Sequence, residues 1–363
     1  MRIVLAGGGS GGSTTPLLAV AEVLMKRYDD VEFLYIGSET GPEKALVEKM
    51  GIPFASIKTG KLRRYWSWQN FLDVFRTVTG LIQSFNLVRG FHPDVFTSAG
   101  GFICVPPAIA AWLLRVPVHI HQQDVQPGLA NKIISPFASR VTVTFEQSKH
   151  NFPASKTVLT GNPVRSEILD GNPEAARELF DLEKDVPTLL ATGGGTGAAG
   201  LNHLIAEAAP RLVEYCQIIH LSGKGKRVDT GFAHRRYKQV EFVVGEMKDV
   251  LALADLVVSR AGLSTLTELG ALCKPSILIP MPESHQKYNA RAFGAVGAAL
   301  VLEEKQITPE ILATKAKELF GDALRLADMG SKARTTVKLD AAERIADEVV
   351  GLVKDFGRES IAS

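Results

Sequence analysis

Cysteine is scarce. The chain has three in 363 residues, Cys104, Cys216 and Cys273, too far apart for a disulfide framework and with no Cys-x-x-Cys, so a reduced, cytosolic protein is expected. Long apolar runs are also missing. No window approaches ~18 consecutive apolar residues, so no bilayer-spanning helix is expected, and contact with a membrane surface stays open. Met1-Arg2 leads straight into a short strand, too short for the apolar core of a signal peptide. Neither sign of charge dominates: 41 basic against 39 acidic residues leave +2, and no global field calls for a nucleic-acid partner. There is no Asp-x-Asp. His119 and His121 share one face of an expected strand, but no third ligand is spaced to join them. Neither a metal nor another cofactor is expected.

Glycine, by contrast, is concentrated in two loops. "LAGGGSGGSTTP" (residues 5–16) follows the apolar run Ile3–Leu5, and "LLATGGGTGAAG" (189–200) follows a second one. Between and beyond them, short β-rich runs alternate with helix-length periodic segments. Expected strands include Val31–Ile36, Val95–Ser98, Val116–His121, Val240–Val244 and Leu256–Ser259; expected helices include Pro16–Tyr28, Trp68–Val88 and Ser264–Leu272. Such alternation means parallel sheets with helices on both faces. The fold class read here is α/β, two doubly wound, Rossmann-like domains facing across a deep cleft with a glycine loop on each wall. Pro163 and Pro173 interrupt the periodicity, placing the domains at 1–163 and 164–340.

Glycine loops ahead of a helix leave backbone N–H groups open to an anion, and the helix dipole adds roughly 0.3–1 kcal/mol for a negative group there. Gly7, Gly9 and Gly12 match a dinucleotide fingerprint, but the nearest acid for a ribose, Glu39, lies late. Neither loop is a Walker A, because no Gly-Lys-Ser/Thr follows. The most informative stretch is "DLVVSRAGLSTLTELGALCKPSILIP" (255–280). Its strand ends in Arg260-Ala261-Gly262, after which the N–H groups of Leu263, Ser264 and Thr265 form a third anion site. Glu268, one turn in, suits the paired hydroxyls of a sugar; balancing the helix dipole is its plainer role.

"RAGLSTLTEL", "PESHQKYNARAF" (282–293), "TGNPVR" (160–165), "HQQDVQPGLANK" (121–132) and the first glycine loop occur together. In that order they resemble the lipid-I N-acetylglucosaminyltransferase (MurG) family of the glycosyltransferase B fold, over residues 2 to about 350. The resemblance implies inverting, metal-independent transfer of N-acetylglucosamine from UDP-N-acetylglucosamine to lipid I, the undecaprenyl-diphosphoryl muramoyl-peptide. It further implies a peripheral enzyme at the cytoplasmic face of the cell membrane, within reach of a cell-wall synthesis complex. Carried over, the backbone at Val244 meets the uracil and Glu268 the ribose. Gly262, Leu263, Ser264 and Thr265, with Gly194, Gly195, Thr196 and Gly197, hold the diphosphate. Gln286 contacts the sugar, and Arg165 reaches in from the join. Ser10, Gly11 and Gly12 lie on the acceptor side. The helix at about 341–358 is expected to return to the first domain.

The chain departs from the family pattern in three places. Ser10 and Ser13 stand for the Thr and His of G-G-T-G-G-H, Asp124 for the Asn of H-E-Q-N, and Thr196 lies in the altered second loop. Ser13 cannot act as a base unaided, so the base is expected at Asp124, beside His121, with Ser13 hydrogen-bonding the acceptor. In 61–85, Phe71, Leu72, Phe75, Val78, Ile82 and Phe85 repeat at helical spacing and read as core. Tyr65, Trp66 and Trp68 beside Lys61, Arg63 and Arg64, with Trp112 and Leu113, read as a membrane patch. The alternatives are an enzyme of the same fold with another lipid acceptor, a catalytically silent UDP-sugar-binding scaffold, and, more distantly, a dehydrogenase.

Overall fold

The computed structural model describes residues 1–8, 11–39, 41, 43–59, 69–194, 197–243 and 245–362. They divide into two compact units, residues 1–163 together with 339 onward, and Val164–Lys338.

In the first unit, seven strands are ordered β3-β2-β1-β4-β5-β6-β7, and every pairing is parallel. They are β1 (Arg2–Ala6), β2 (Glu32–Ser38), β3 (Phe54–Ile57), β4 (Val95–Ser98), β5 (Val118–Gln122), β6 (Arg140–Val143) and β7 (Thr157–Leu159). The crossovers carry α1 (Gly11–Arg27), α2 (Glu43–Lys49), α3 (Gln69–Phe91), α4 (Val105–Leu113) and α5 (Leu129–Ile134). The second unit repeats the scheme as β10-β9-β8-β11-β12-β13, again parallel. Its strands are β8 (Thr188–Thr192), β9 (Gln217–Leu221), β10 (Tyr237–Val240), β11 (Leu256–Ser259), β12 (Ser276–Leu278) and β13 (Ala299–Val301). Its helices are α6 (Pro173–Leu179), α7 (Ala199–Leu212), α8 (Met247–Leu253), α9 (Leu263–Ala271), α10 (Gln286–Ala295), α11 (Pro309–Phe320) and α12 (Ala323–Thr335). The last helix, α13 (Ala341–Ala362), belongs to the first unit. Its Ile345, Ala346 and Val349 join a core with Leu17, Ala21 and Leu24 of α1, and Arg27–Asp347 and Arg140–Glu348 pair at 2.6 and 3.2 Å along its rim.

Several expectations are corrected. Helix α1 starts at Gly11 rather than Pro16, because the Ser13 hydroxyl accepts the Gly8 N–H at 3.1 Å and closes the loop early. Pro16 then forgoes one ladder bond inside the helix. The strand expected at 240–244 lies at Tyr237–Val240, where the Tyr237 hydroxyl meets His220 Nδ1 at 2.9 Å. Edge strands β3 and β7 escaped the sequence reading, being short and only partly buried. On α3, Leu81, Ser84, Phe85 and Val88 face the core, whereas Val78 and Ile82 are exposed. The side chains of Phe71, Leu72 and Phe75 lie outside the described residues. No helix is long and apolar enough to cross a membrane among the described residues.

Three buried histidines couple this packing to pH. Burial pushes His119 down to about 3 and His121 and His220 down to about 4. Each ring is neutral when folded, while the unfolded chain takes up the proton near 6.5. Their stabilising share is complete above pH 6.5 and is lost as pH falls toward 4. Urea titrations at pH 7 and pH 5 should differ by roughly 2 kcal/mol per histidine, and His220→Gln should remove its share of that difference. Equal stability at the two pH values would contradict the burial argument.

Candidate functional site

In a doubly wound sheet, ligands gather beyond the carboxyl ends of the strands where the crossovers diverge. In the second unit that point lies between the adjacent strands β8 and β11. Both chemistry-bearing segments emerge there. After β8, Gly194 and Gly197 adopt φ of 77° and 66°, and a Cβ on Gly197 would collide with the Ser222 carbonyl. After β11, Gly262 caps α9, whose first ladder bond runs from Leu266 N–H to the Gly262 carbonyl at 3.1 Å. The N–H groups of Leu263, Ser264 and Thr265 therefore precede the helical ladder. Gly195, Thr196 and Val244 lie outside the described residues.

Side chains that the sequence reading did not assign hold this turn. Asn289 is buried and donates to the Ala261 carbonyl at 3.2 Å. Arg260 forks onto Glu304 at 2.9 and 2.7 Å and donates to the Ile279 carbonyl at 3.0 Å. Its charge is spent on the scaffold, tying the exits of β11 and β12 together.

Arg165 and Glu268, 103 residues apart, meet at 3.0 Å, and Arg165 also reaches Glu167 at 2.9 Å. Burial pushes the Glu268 carboxyl up, while the Arg165 charge and hydrogen bond oppose that shift. Gln286 opens α10 and accepts the Met281 N–H at 3.1 Å through Oε1.

The corresponding point of the first unit lies between β1 and β4. Gly7-Gly8 leaves β1 and Gly100-Gly101 follows β4; a Cβ on Gly101 would sit 2.6 Å from the Gly8 carbonyl oxygen. The sequence reading missed this second glycine pair, whose signal is the "SAGG" closing a strand. It also missed Glu43, which is fully buried against Gly8. One Glu43 oxygen accepts the Ser38 N–H at 2.9 Å and the Ser38 hydroxyl, and the other has no hydrogen-bond partner among the described residues. A carboxylate there opposes a phosphate at Gly8, which qualifies the view of this loop as an anion cradle. Gly11 and Gly12 open α1, and Ser10 lies outside the described residues.

Asp124 is half-buried in the bend after β5. Its neighbour Gln123 donates to the Ala99 carbonyl at 2.8 Å, joining the bend to the end of β4. His121 is not free to act beside it. Its Nε2 meets Asn162 Oδ1 at 3.1 Å, and its Nδ1 meets the Thr142 hydroxyl at 2.9 Å. With the Asn162 oxygen as acceptor, Nε2 carries the proton and Nδ1 accepts from Thr142. The same hydroxyl oxygen then accepts from His119 Nε2 at 2.9 Å. Buried and committed at both nitrogens, His121 is a structural link rather than a proton acceptor. Ser13, tied to Gly8 and 8% exposed, is likewise part of the loop's own closure. Lys61, Arg63, Arg64, Tyr65, Trp66 and Trp68 lie outside the described residues, while Trp112 and Leu113 are more than half exposed.

The glycosyltransferase family 28 N-terminal domain matches residues 3–143, and the family 28 C-terminal domain matches residues 188–345. A Bacillus cereus (strain ATCC 10987 / NRS 248) protein is 42% identical over 322 residues, covering 88% of this chain and 91% of its own. It is named UDP-N-acetylglucosamine–N-acetylmuramyl-(pentapeptide) pyrophosphoryl-undecaprenol N-acetylglucosamine transferase 2. A Lachnospira eligens transferase of that name, without the numeral, is 37% identical and covers 98% of this chain and 99% of its own. Among solved structures, MurG of Acinetobacter baumannii superposes with a TM-score of 0.72 at 25% identity, covering 96% of this chain and 99% of that one.

Because the Ser13 hydroxyl accepts a buried N–H, Ser13→Ala should destabilise the first unit by about 1–3 kcal/mol. Chemical denaturation checks this, and an unchanged midpoint would show that the Gly8 N–H finds another partner.

Proposed function

We infer the activity from one premise: the chain belongs to the family of UDP-N-acetylglucosamine–N-acetylmuramyl-(pentapeptide) pyrophosphoryl-undecaprenol N-acetylglucosamine transferases, with the two doubly wound α/β units of the glycosyltransferase B class. It is a hexosyltransferase of peptidoglycan biosynthesis. It moves N-acetylglucosamine from UDP to lipid I, giving lipid II.

The observation that carries the site reading is the meeting of Arg165 and Glu268 beside the start of α9, at the divergence point of the second sheet. In this reading Glu268 takes the ribose hydroxyls and the backbone at Val244 the uracil. The N–H groups of Leu263, Ser264 and Thr265, with the loop from Gly194 to Gly197, face the diphosphate. Negative charge grows there as the bond from the anomeric carbon to the diphosphate breaks, and fixed donors stabilise it without a metal. Arg165 adds a cation, and Gln286 orients the sugar. The acceptor hydroxyl attacks the opposite face of the anomeric carbon, inverting it, and its proton passes to Asp124. Exposed Val78, Ile82, Trp112 and Leu113 support peripheral attachment at the cytoplasmic membrane face, where the lipid-linked acceptor resides.

One observation favours a second reading. Ser13 stands where the family has a histidine and is turned onto Gly8, as a silent UDP-sugar-binding scaffold would allow. Turnover of UDP-N-acetylglucosamine with a lipid I analogue, run beside other UDP-sugars and a no-acceptor control, separates the two. Transfer supports the enzyme; UDP binding without transfer supports the scaffold.

Glu268→Ala should weaken UDP binding about 10- to 100-fold through the loss of charge-assisted bonds, and unchanged calorimetric affinity in a folded variant would reject the ribose assignment. Asp124→Asn should lower turnover by ~10²–10⁴-fold with UDP affinity retained. Near-full turnover would place the base elsewhere.

A further inference from the structure

We propose that Lys226 is a positioning residue for the diphosphate of the nucleotide sugar, acting through the Gly197 carbonyl just ahead of α7. Its ammonium donates to that carbonyl at 3.0 Å. Gly197, with φ of 66°, also donates its N–H to the Gly194 carbonyl at 2.9 Å, so both polar groups of the residue are fixed. The first ladder bond of α7 runs from the Asn202 N–H to the Ala198 carbonyl at 2.9 Å. The amides of Ala199, Gly200 and Leu201 therefore precede the helical ladder. The proposal rests on the donor site assigned above, because only a phosphate-bearing ligand gives those amides an anion to meet.

The loop that carries Lys226 is clamped from below. Asn202 is fully buried and donates to the Ser222 carbonyl at 2.8 Å and to the Lys226 carbonyl at 3.0 Å. Its own oxygen meets His220 Nε2 at 3.2 Å, and His220 Nδ1 meets the Tyr237 hydroxyl. His220 thus donates from Nε2 and accepts at Nδ1. The Lys226 N–H closes on the Gly223 carbonyl at 3.0 Å, and a Cβ on Gly197 would strike the Ser222 carbonyl. These contacts hold residues 222–227 against Gly197. The Lys226 side chain itself is exposed, and the carbonyl it takes lies two residues before α7. A cation at that positive end of the helix dipole costs the fold. Arg260 forks onto Glu304, which presses against Gly200, and these two charges cancel. An arriving diphosphate reverses the sign at Lys226, since it brings the charge that the ammonium complements.

Lys226→Met should therefore hold or raise the thermal midpoint while weakening calorimetric UDP binding about tenfold. Uridine, which has no phosphate, should bind both forms equally, a distinction that a loosened fold would not produce. Lys226→Arg should restore UDP affinity to within about twofold, and the salt dependence of UDP binding should be shallower in Lys226→Met. Arg227→Gln is the control. It removes an equal charge one residue on, which acts on Tyr237, and should leave UDP affinity within about twofold. Unchanged UDP affinity in folded Lys226→Met would overturn the proposal. Equal weakening of UDP and uridine, or an equal loss in Arg227→Gln, would overturn it as well. A wild-type chain that binds neither UDP nor UDP-N-acetylglucosamine would instead sink the donor-site reading, and the proposal with it.

Discussion

Every strand pairing in both sheets is parallel, and β4, β5, β8, β9 and β11 are buried along their whole length. Such strands cannot stand at a solvated face, so helices must cover both sides, and each crossover returns the chain in the same direction. All carboxyl ends therefore share one edge of each sheet. Because the first strand of each unit is central, its loop leaves where neighbouring crossovers part to opposite faces. The glycine loops, the start of α9, the bend at Asp124 and the Arg165–Glu268 pair all take their positions from this constraint.

Polar side chains then anchor the described ends of those loops. Arg260 with Glu304, and Asn289 on the Ala261 carbonyl, fix the turn into α9. Ser13 on Gly8 and Gln123 on Ala99 do the same in the first unit. These contacts hold backbone donors in place before any ligand arrives, which is how a site stabilises developing charge without reorganising. Arg165 with Glu268 differs. A mostly buried ion pair contributes little net stability, since its desolvation offsets its attraction, but it keeps a cation and a carboxylate ready at one place.

Much of this was legible in the residues. The alternation of apolar runs and periodic segments marks a parallel α/β fold, and the glycine loops and "RAGLSTLTEL" mark the exits of β1, β8 and β11, because each signal is local in sequence. Less legible was which face of α3 is buried. Two overlapping apolar stripes run along that helix, and packing against α4 selects the one through Leu81, Phe85 and Val88. Glu43 carries no local signal of its place, and its burial under Gly8 needs β1 and β2 side by side.

The sequence by itself determined the fold class, the two-unit plan and the residue types at the proposed site, since periodicity and turn chemistry act over a few residues. Only the tertiary structure decided which of those residues are available. His121 is committed to Thr142 and Asn162, and Ser13 to Gly8, while Arg165 meets Glu268 across 103 positions. Sheet register and strand order bring such partners together, and no local pattern encodes the distance between side chains so far apart along the chain.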